Sequence, residues 1–174
     1  MATDLPLARQ ITAFVTSSEA IMPIKTFKTL SELTALVGQE VAVSDWIDVT
    51  QEQVNLFAQA TGDHQWIHVD VERAKAGPFG APIAHGYLTL SLLPRFFQSA
   101  LNVVESAMGV NYGLNKVRFM APVPVGSRLR ARLSLVSSEA IDNNGVQMVW
   151  DVVVEKQGAS KPACVAQAVV RRYP

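Results

Sequence analysis

Three histidines and one aspartate carry most of the chemistry this sequence offers. His64, His68 and His85 are all the histidines of the chain, and they fall with Asp63 in or beside one irregular stretch. Titratable groups concentrated where little regular structure is expected mark a functional segment. Asp63 and His68 stand five residues apart across a loop, close enough for both side chains to grip one small molecule such as water. A carboxylate takes the proton of an attacking water while an imidazole orients that water or delivers a proton elsewhere, and their different acidities divide the work. The plainer alternative is that Asp63 caps the loop and His68 bonds to it. Gly86 is a third element. At the start of an apolar helix its N–H lacks a helical partner and sits at the positive end of the helix dipole, and without a Cβ it lets a carbonyl come close, as a developing oxyanion requires.

A metal site is the rival reading of the same residues. His64-x-x-x-His68 would place two imidazoles on one face of a helix, with Asp63 or His85 as a further ligand. Against it, Gly62 has just ended a helix, Gln65 stands where a zincin-type motif needs Glu, and no sulfur ligand is near. The expectation is therefore no metal. No glycine-rich phosphate loop, dinucleotide fingerprint or Gly-x-Ser-x-Gly elbow occurs, and Cys164, within an alternating strand, reads as core.

The elements that must position this segment follow from capping and periodicity. Thr29-x-x-Glu32 is a capping box for a short helix over 30–37 that Gly38 stops. Ser44–Val49 is a strand candidate. Thr50-x-x-Gln53 caps a helix carrying Val54, Phe57, Ala58 and Thr61 on one side, and Gly62 ends it in a left-handed turn just before Asp63. Residues 63–84, with Gly77-Pro78-Phe79-Gly80-Ala81-Pro82, read as a long loop holding at most one helical turn from Asp70. Gly86 to about Val104 is a long helix, apolar on nearly every side and hence buried, with a kink at Pro94. Alternation then predicts long strands around Tyr112–Phe119, Ser127–Val136, Val146–Val154 and Ala163–Arg171, with hairpin turns at Asp142–Gly145 and Gly158–Pro162. A meander of antiparallel strands with one buried helix means an α+β fold, the sheet wrapped around the helix.

The whole chain supports one domain. Its 174 residues suit a single core, 49% hydrophobic residues fill it, and a charged fraction of 17% leaves surface for an interface. Residues 1–26 read as an N-terminal extension, with Leu5, Leu7, Ile11 and Phe14 at loosely helical spacing, and residues 27–174 as the domain. Fifteen basic residues balance fifteen acidic ones, so no field draws the protein to nucleic acid or anionic lipid. The single cysteine excludes an intrachain disulfide, the richest apolar run is interrupted by Arg95 and Gln98, and no export signal is read near Asp4, so a cytoplasmic protein without membrane spans is expected. A nearly all-apolar helix covered by few strands predicts a homodimer.

The stretches Ala60-Thr61-Gly62-Asp63-His64-Gln65-Trp66-Ile67-His68 and Ile83-Ala84-His85-Gly86-Tyr87-Leu88-Thr89 resemble the MaoC-like dehydratases, the family of (R)-specific enoyl-CoA hydratases with the hot-dog fold, over about residues 27–172. The resemblance implies fatty acid metabolism and reversible addition of water to trans-2-enoyl thioesters of coenzyme A or acyl carrier protein, without a cofactor. It implies that Asp63 and His68 activate the water and that the Gly86 N–H binds the oxyanion. Trp66, His85 and Asn115 are the candidate substrate-binding residues. Trp66 sits between the catalytic pair and can wall the pocket, and Asn115 shares a strand face with Val117 and Phe119 beside the acyl chain. Gln65-Trp66 replaces the Asn-Pro common in active hydratases and resembles the branch named after nodulation protein N. Two other readings stay open: a hot-dog acyl-CoA thioesterase, and a non-catalytic acyl-thioester binder.

Overall fold

The computed structural model describes residues 23–174, so the apolar spacing noted between Leu5 and Phe14 lies outside the described residues. The sheet follows the alternation. Strands β2 (Gln39–Val43), β6 (Arg128–Ile141), β7 (Gly145–Lys156), β8 (Cys164–Tyr173) and β5 (Met108–Phe119) lie side by side in that order, every pair antiparallel. β3 (Ile47–Asp48) pairs with β6 as well. Ala131, Leu133 and Leu135 of β6 face Val154, Val152 and Trp150 of β7 across the buried side, while Arg130 and Arg132 turn outward to Glu155 and Glu40. Asn143 and Asn144, at φ 61° and 56°, make the tight turn joining β6 to β7.

The strand expected over 44–49 is interrupted. Ser44, fully buried, accepts the Ala131 N–H through its hydroxyl at 2.8 Å, so a side chain replaces a rung between β2 and β3. The first helix, α1 (Leu30–Thr34), is shorter than predicted. Thr29 does accept from the Glu32 N–H, but the Glu32 carboxylate bonds to the Lys28 N–H, which leaves half a capping box.

The long helix is corrected most. It breaks at Leu92 into α5 (Gly86–Ser91) and α6 (Leu93–Ala100), and Leu101–Val103 is strand β4, paired parallel to β1 (Lys25–Phe27). Pro94 has no N–H to continue the ladder at this joint, and the Leu92 N–H is shared between the Leu88 and Thr89 carbonyls at 3.2 and 3.4 Å. Residues 25 and 26, read above as part of the extension, are thus built into the fold. The broken helix still packs on the inner sheet face. Phe96 is fully buried and the Phe97 ring meets Trp150 edge-on at 5.3 Å. The result is the expected α+β architecture, an antiparallel sheet against a central helix.

Candidate active site

The candidate residues are delivered by three junctions. Helix α2 (Gln51–Thr61) starts on a complete capping box, with Thr50 and Gln53 bonded reciprocally at 3.0 and 3.2 Å, and it stops at Gly62 with φ 77°. Asp63 therefore emerges from a sharp reversal, its side chain about half exposed. The loop beyond is more helical than expected, comprising α3 (Trp66–Val69) and α4 (Val71–Lys75), and His68 rides on α3. Gln51, at the start of α2, donates to the His68 carbonyl at 2.8 Å and ties the two helices together. Ile83 and Ala84 are clipped on both sides, by Ile83 N–H to the Ile67 carbonyl and Ala84 N–H to the Val123 carbonyl. His85 and Gly86 follow at once.

Asp63, His68 and His85 converge, with one potential ligand atom from each lying within 4.8 Å of the others. The rings of His68 and His85 stack at 3.8 Å with a 27° tilt, and Phe57 covers His85 at 5.0 Å. Protons can be assigned from the partners. His68 Nδ1 lies 2.7 Å from the Ile83 carbonyl, which only accepts, so Nδ1 carries the hydrogen and Nε2 keeps a lone pair. His85 Nε2 likewise donates to the Asp63 carbonyl at 2.9 Å, and it stands 3.9 Å from the Asp63 carboxylate. Burial holds His68 below the ordinary imidazole range. The neighbouring His85 pushes the same way, whereas the bond to Ile83 and the Asp63 charge oppose it. At neutral pH the pair is thus a carboxylate and a neutral imidazole, two acceptors side by side. One water donating a hydrogen to each would keep an oxygen lone pair for attack.

His68 and Gly86 open onto one cleft of about 280 Å³, shared with Thr89, Phe119, Pro122 and Ala163. A Cβ on Gly86 would lie 2.8 Å from the Phe119 ring, so glycine here admits that ring as well as any ligand.

Other expectations are not met in this way. His64 is exposed and stands outside the cluster. Trp66 lies against Gly77, where a Cβ would come within 3.0 Å of its ring, under the Arg73 guanidinium, which stands 4.4 Å from its ring centre, and it does not line the cleft. Asn115 is turned away. A register shift between Leu114 and Lys116 puts its amide on the outer face, where it donates to Gln167, while Val117 and Phe119 pair with the inward Ala166 and Cys164. The missed residues are Gln51, Thr89 and the central position of His85, and only the nearness of His85 to Gly86 hinted at the last.

Comparison with known proteins accords with this geometry. The family described as MaoC like domain matches residues 32–157. The chain belongs to the MaoC-like family. It is 57% identical over 148 residues to 3-hydroxyacyl-thioester dehydratase Z of Mycobacterium tuberculosis, covering 85% of this chain and 98% of that protein. It is 45% identical over 139 residues to nodulation protein N of Rhizobium meliloti, covering 79% and 86%. Among solved structures, an unliganded R-hydratase of Pseudomonas aeruginosa superposes with a TM-score of 0.60 and 26% identity over 79% of this chain and 81% of that one. These likenesses bear out the α+β hot-dog fold of this MaoC-like chain.

Proposed function

We propose that this MaoC-like protein is a hydro-lyase that reversibly adds water to trans-2-enoyl thioesters, giving 3-hydroxyacyl thioesters of R configuration. The observation that carries the reading is the pairing of the Asp63 carboxylate with a neutral His68 beside the Gly86 cleft. The identity of 57% to a 3-hydroxyacyl-thioester dehydratase supports it. Water donates one hydrogen to Asp63 and one to His68 Nε2. Its oxygen bonds to the β-carbon as the water proton passes to Asp63, and the electron pair of the double bond moves onto the thioester oxygen. The Gly86 N–H stabilises that enolate. The enolate collapses as the α-carbon takes the proton that Asp63 gained, passed on through His68 Nε2, so that both residues return to their starting states, and dehydration runs the same path backward.

The substrate is an acyl thioester of coenzyme A or acyl carrier protein, handled without metal or cofactor in a cytoplasmic setting. Among the described residues no helix is long and apolar enough to cross a membrane. The protein works as a homodimer. Among the described residues β5 ends the sheet with one edge unpaired, and Met108, Val110, Tyr112 and Leu114 along it are exposed, an apolar edge that a second copy would cover. Loss of enoyl absorbance across a panel of enoyl-CoA chain lengths tests the activity. Thiol release from saturated acyl-CoA, without hydration, would support the thioesterase instead, and binding without turnover the non-catalytic binder. Sedimentation of a lone protomer at micromolar concentration would overturn the dimer.

A further inference from the structure

The inner face of β8 runs from small apolar residues to a charge. Ala166, Ala168 and Val170 are buried in the core, and Arg172 continues the same row, whereas Arg171 turns outward to Gln147 and the Tyr112 ring. Arg172 borders a cavity of about 590 Å³ with Phe97 and Trp150 on its apolar side and Gln98, Asn102 and Asn111 on its polar side. Burial pulls its guanidinium below the usual range, and no charge among the described residues offsets that shift. Arg172 is only partly withdrawn from water at the cavity wall, which leaves its guanidinium able to meet an anion, and its planar fork fits a carboxylate.

This cavity does not stand alone. It shares Pro94, Phe97, Asn111 and Val170 with a second one of about 410 Å³ that is lined mainly by apolar groups. Both lie along the seam between the broken helix and β5; the Gly86 cleft shares no lining residue with them but adjoins the second through the consecutive Thr89 and Leu90. The helix supplies Gly86 and Thr89 to the cleft, then Leu90 to the second space, then Gln98 and Leu101 to the third, while β5 runs the opposite way from Phe119 through Gly113 to Gly109. A Cβ at Gly109 or Gly113 would meet nothing within 4 Å, so these glycines leave the seam open. Taken as one straight helix, the stretch from Gly86 to Gln98 would rise about 18 Å, which an extended chain of about fourteen to fifteen carbons spans.

We propose that the seam takes an acyl chain of that length ending in a carboxylate, and that Arg172 receives the terminal carboxylate. The inference rests on the hydratase reading, since that reading places the thioester at Gly86. It makes Arg172 a specificity residue that selects ω-carboxyacyl thioesters over plain fatty ones.

The test compares trans-2-enoyl-CoA chains of this length with a terminal carboxylate or methyl, together with their saturated counterparts, which bind but are not hydrated. The wild-type protein is expected to favour the carboxylate by about 10- to 100-fold in kcat/KM, as a charge-assisted hydrogen bond allows. Arg172→Leu should collapse that ratio and Arg172→Lys keep part of it. Binding of the saturated pair, followed by tryptophan fluorescence, should show the same preference. If neither enoyl chain is hydrated but the saturated carboxylate still binds more tightly in an Arg172-dependent way, the hydratase reading fails and this one stands. Equal handling of both chains by the wild-type protein would overturn it. So would a ratio unmoved in Arg172→Leu, or in Arg172→Gln should the leucine variant not fold, with only the melting temperature lowered.

Discussion

Replacing Gly86 with alanine would set a methyl group 2.8 to 3.0 Å from Cδ2, Cγ and Cε2 of Phe119. Unbonded carbons rest at about 3.5–4.0 Å, so ring or helix must yield by roughly 0.7–1 Å. Contact with Cγ, the root of the ring, means that moving the ring tip alone does not relieve it. The start of α5 is tied by Ala84 N–H to Val123 and by His85 Nε2–H to Asp63, at 2.8 and 2.9 Å, so the strain spreads into the cluster. Overpacking of this kind costs about 1–3 kcal/mol, which for a chain of this size lowers Tm by about 2–12 °C. A shift approaching 1 Å at the oxyanion N–H lowers hydration by up to about 10²-fold. Thermal unfolding by circular dichroism and loss of enoyl absorbance read both quantities. Phe119→Leu added to Gly86→Ala should recover stability and turnover toward the level of Phe119→Leu alone, because alanine keeps the N–H. A Gly86→Ala protein as stable and active as wild type would refute the steric argument. Recovered stability without recovered turnover would show that glycine is needed for the substrate itself.

Asp63→Asn and His68→Gln should each lower turnover by about 10² to 10⁴ with acyl-CoA binding retained, and the double variant should be little worse than the poorer single one, because both groups act on one water; near-normal hydration by Asp63→Asn would sink the mechanism. The depressed His68 pKa sets a pH dependence. Its stabilising neutral form is fully present above the unfolded value near 6.5, and stability falls as pH drops from there toward the lower folded pKa, where kcat/KM also declines; a stability curve in which His68→Gln changes nothing across that window would contradict this. Exhaustive chelation should leave activity intact and elemental analysis should find no stoichiometric metal, whereas loss restored by zinc would revive the metal reading of the histidines.

Much of the site was legible because it depends on short-range rules. Thr50-x-x-Gln53 and Gly62 bracket α2 through their own hydrogen bonds and a positive φ, and Asp63 must follow the reversal whatever packs around it. The position of His68 on a turn of helix was missed. Trp66–Val69 carries no capping side chain, and it is held by Gln51 and Ile83, residues distant along the chain. Gly86 was identified through its place at a helix start, but the ring that occupies its missing Cβ comes from β5.

The sequence by itself determined what is decided within a few residues. The alternation in β6 and β7 settles which side chains are buried, since a strand has only two faces, and Asn143-Asn144 selects the turn between them. Tertiary structure decided what depends on a partner element. The register shift in β5 reverses Asn115, because one extra residue against β8 exchanges faces, and no local pattern announces it. Leu101 is as apolar in a helix as in a strand, and it became strand because β1 lies alongside. Trp66 went to Gly77 and Arg73 because they offered it a closer surface than the cleft. The stacking of His85 on His68 joins residues seventeen positions apart, and the burial it brings lowers the His68 pKa. Proton affinity is a property of the surroundings, and only the folded chain supplies them.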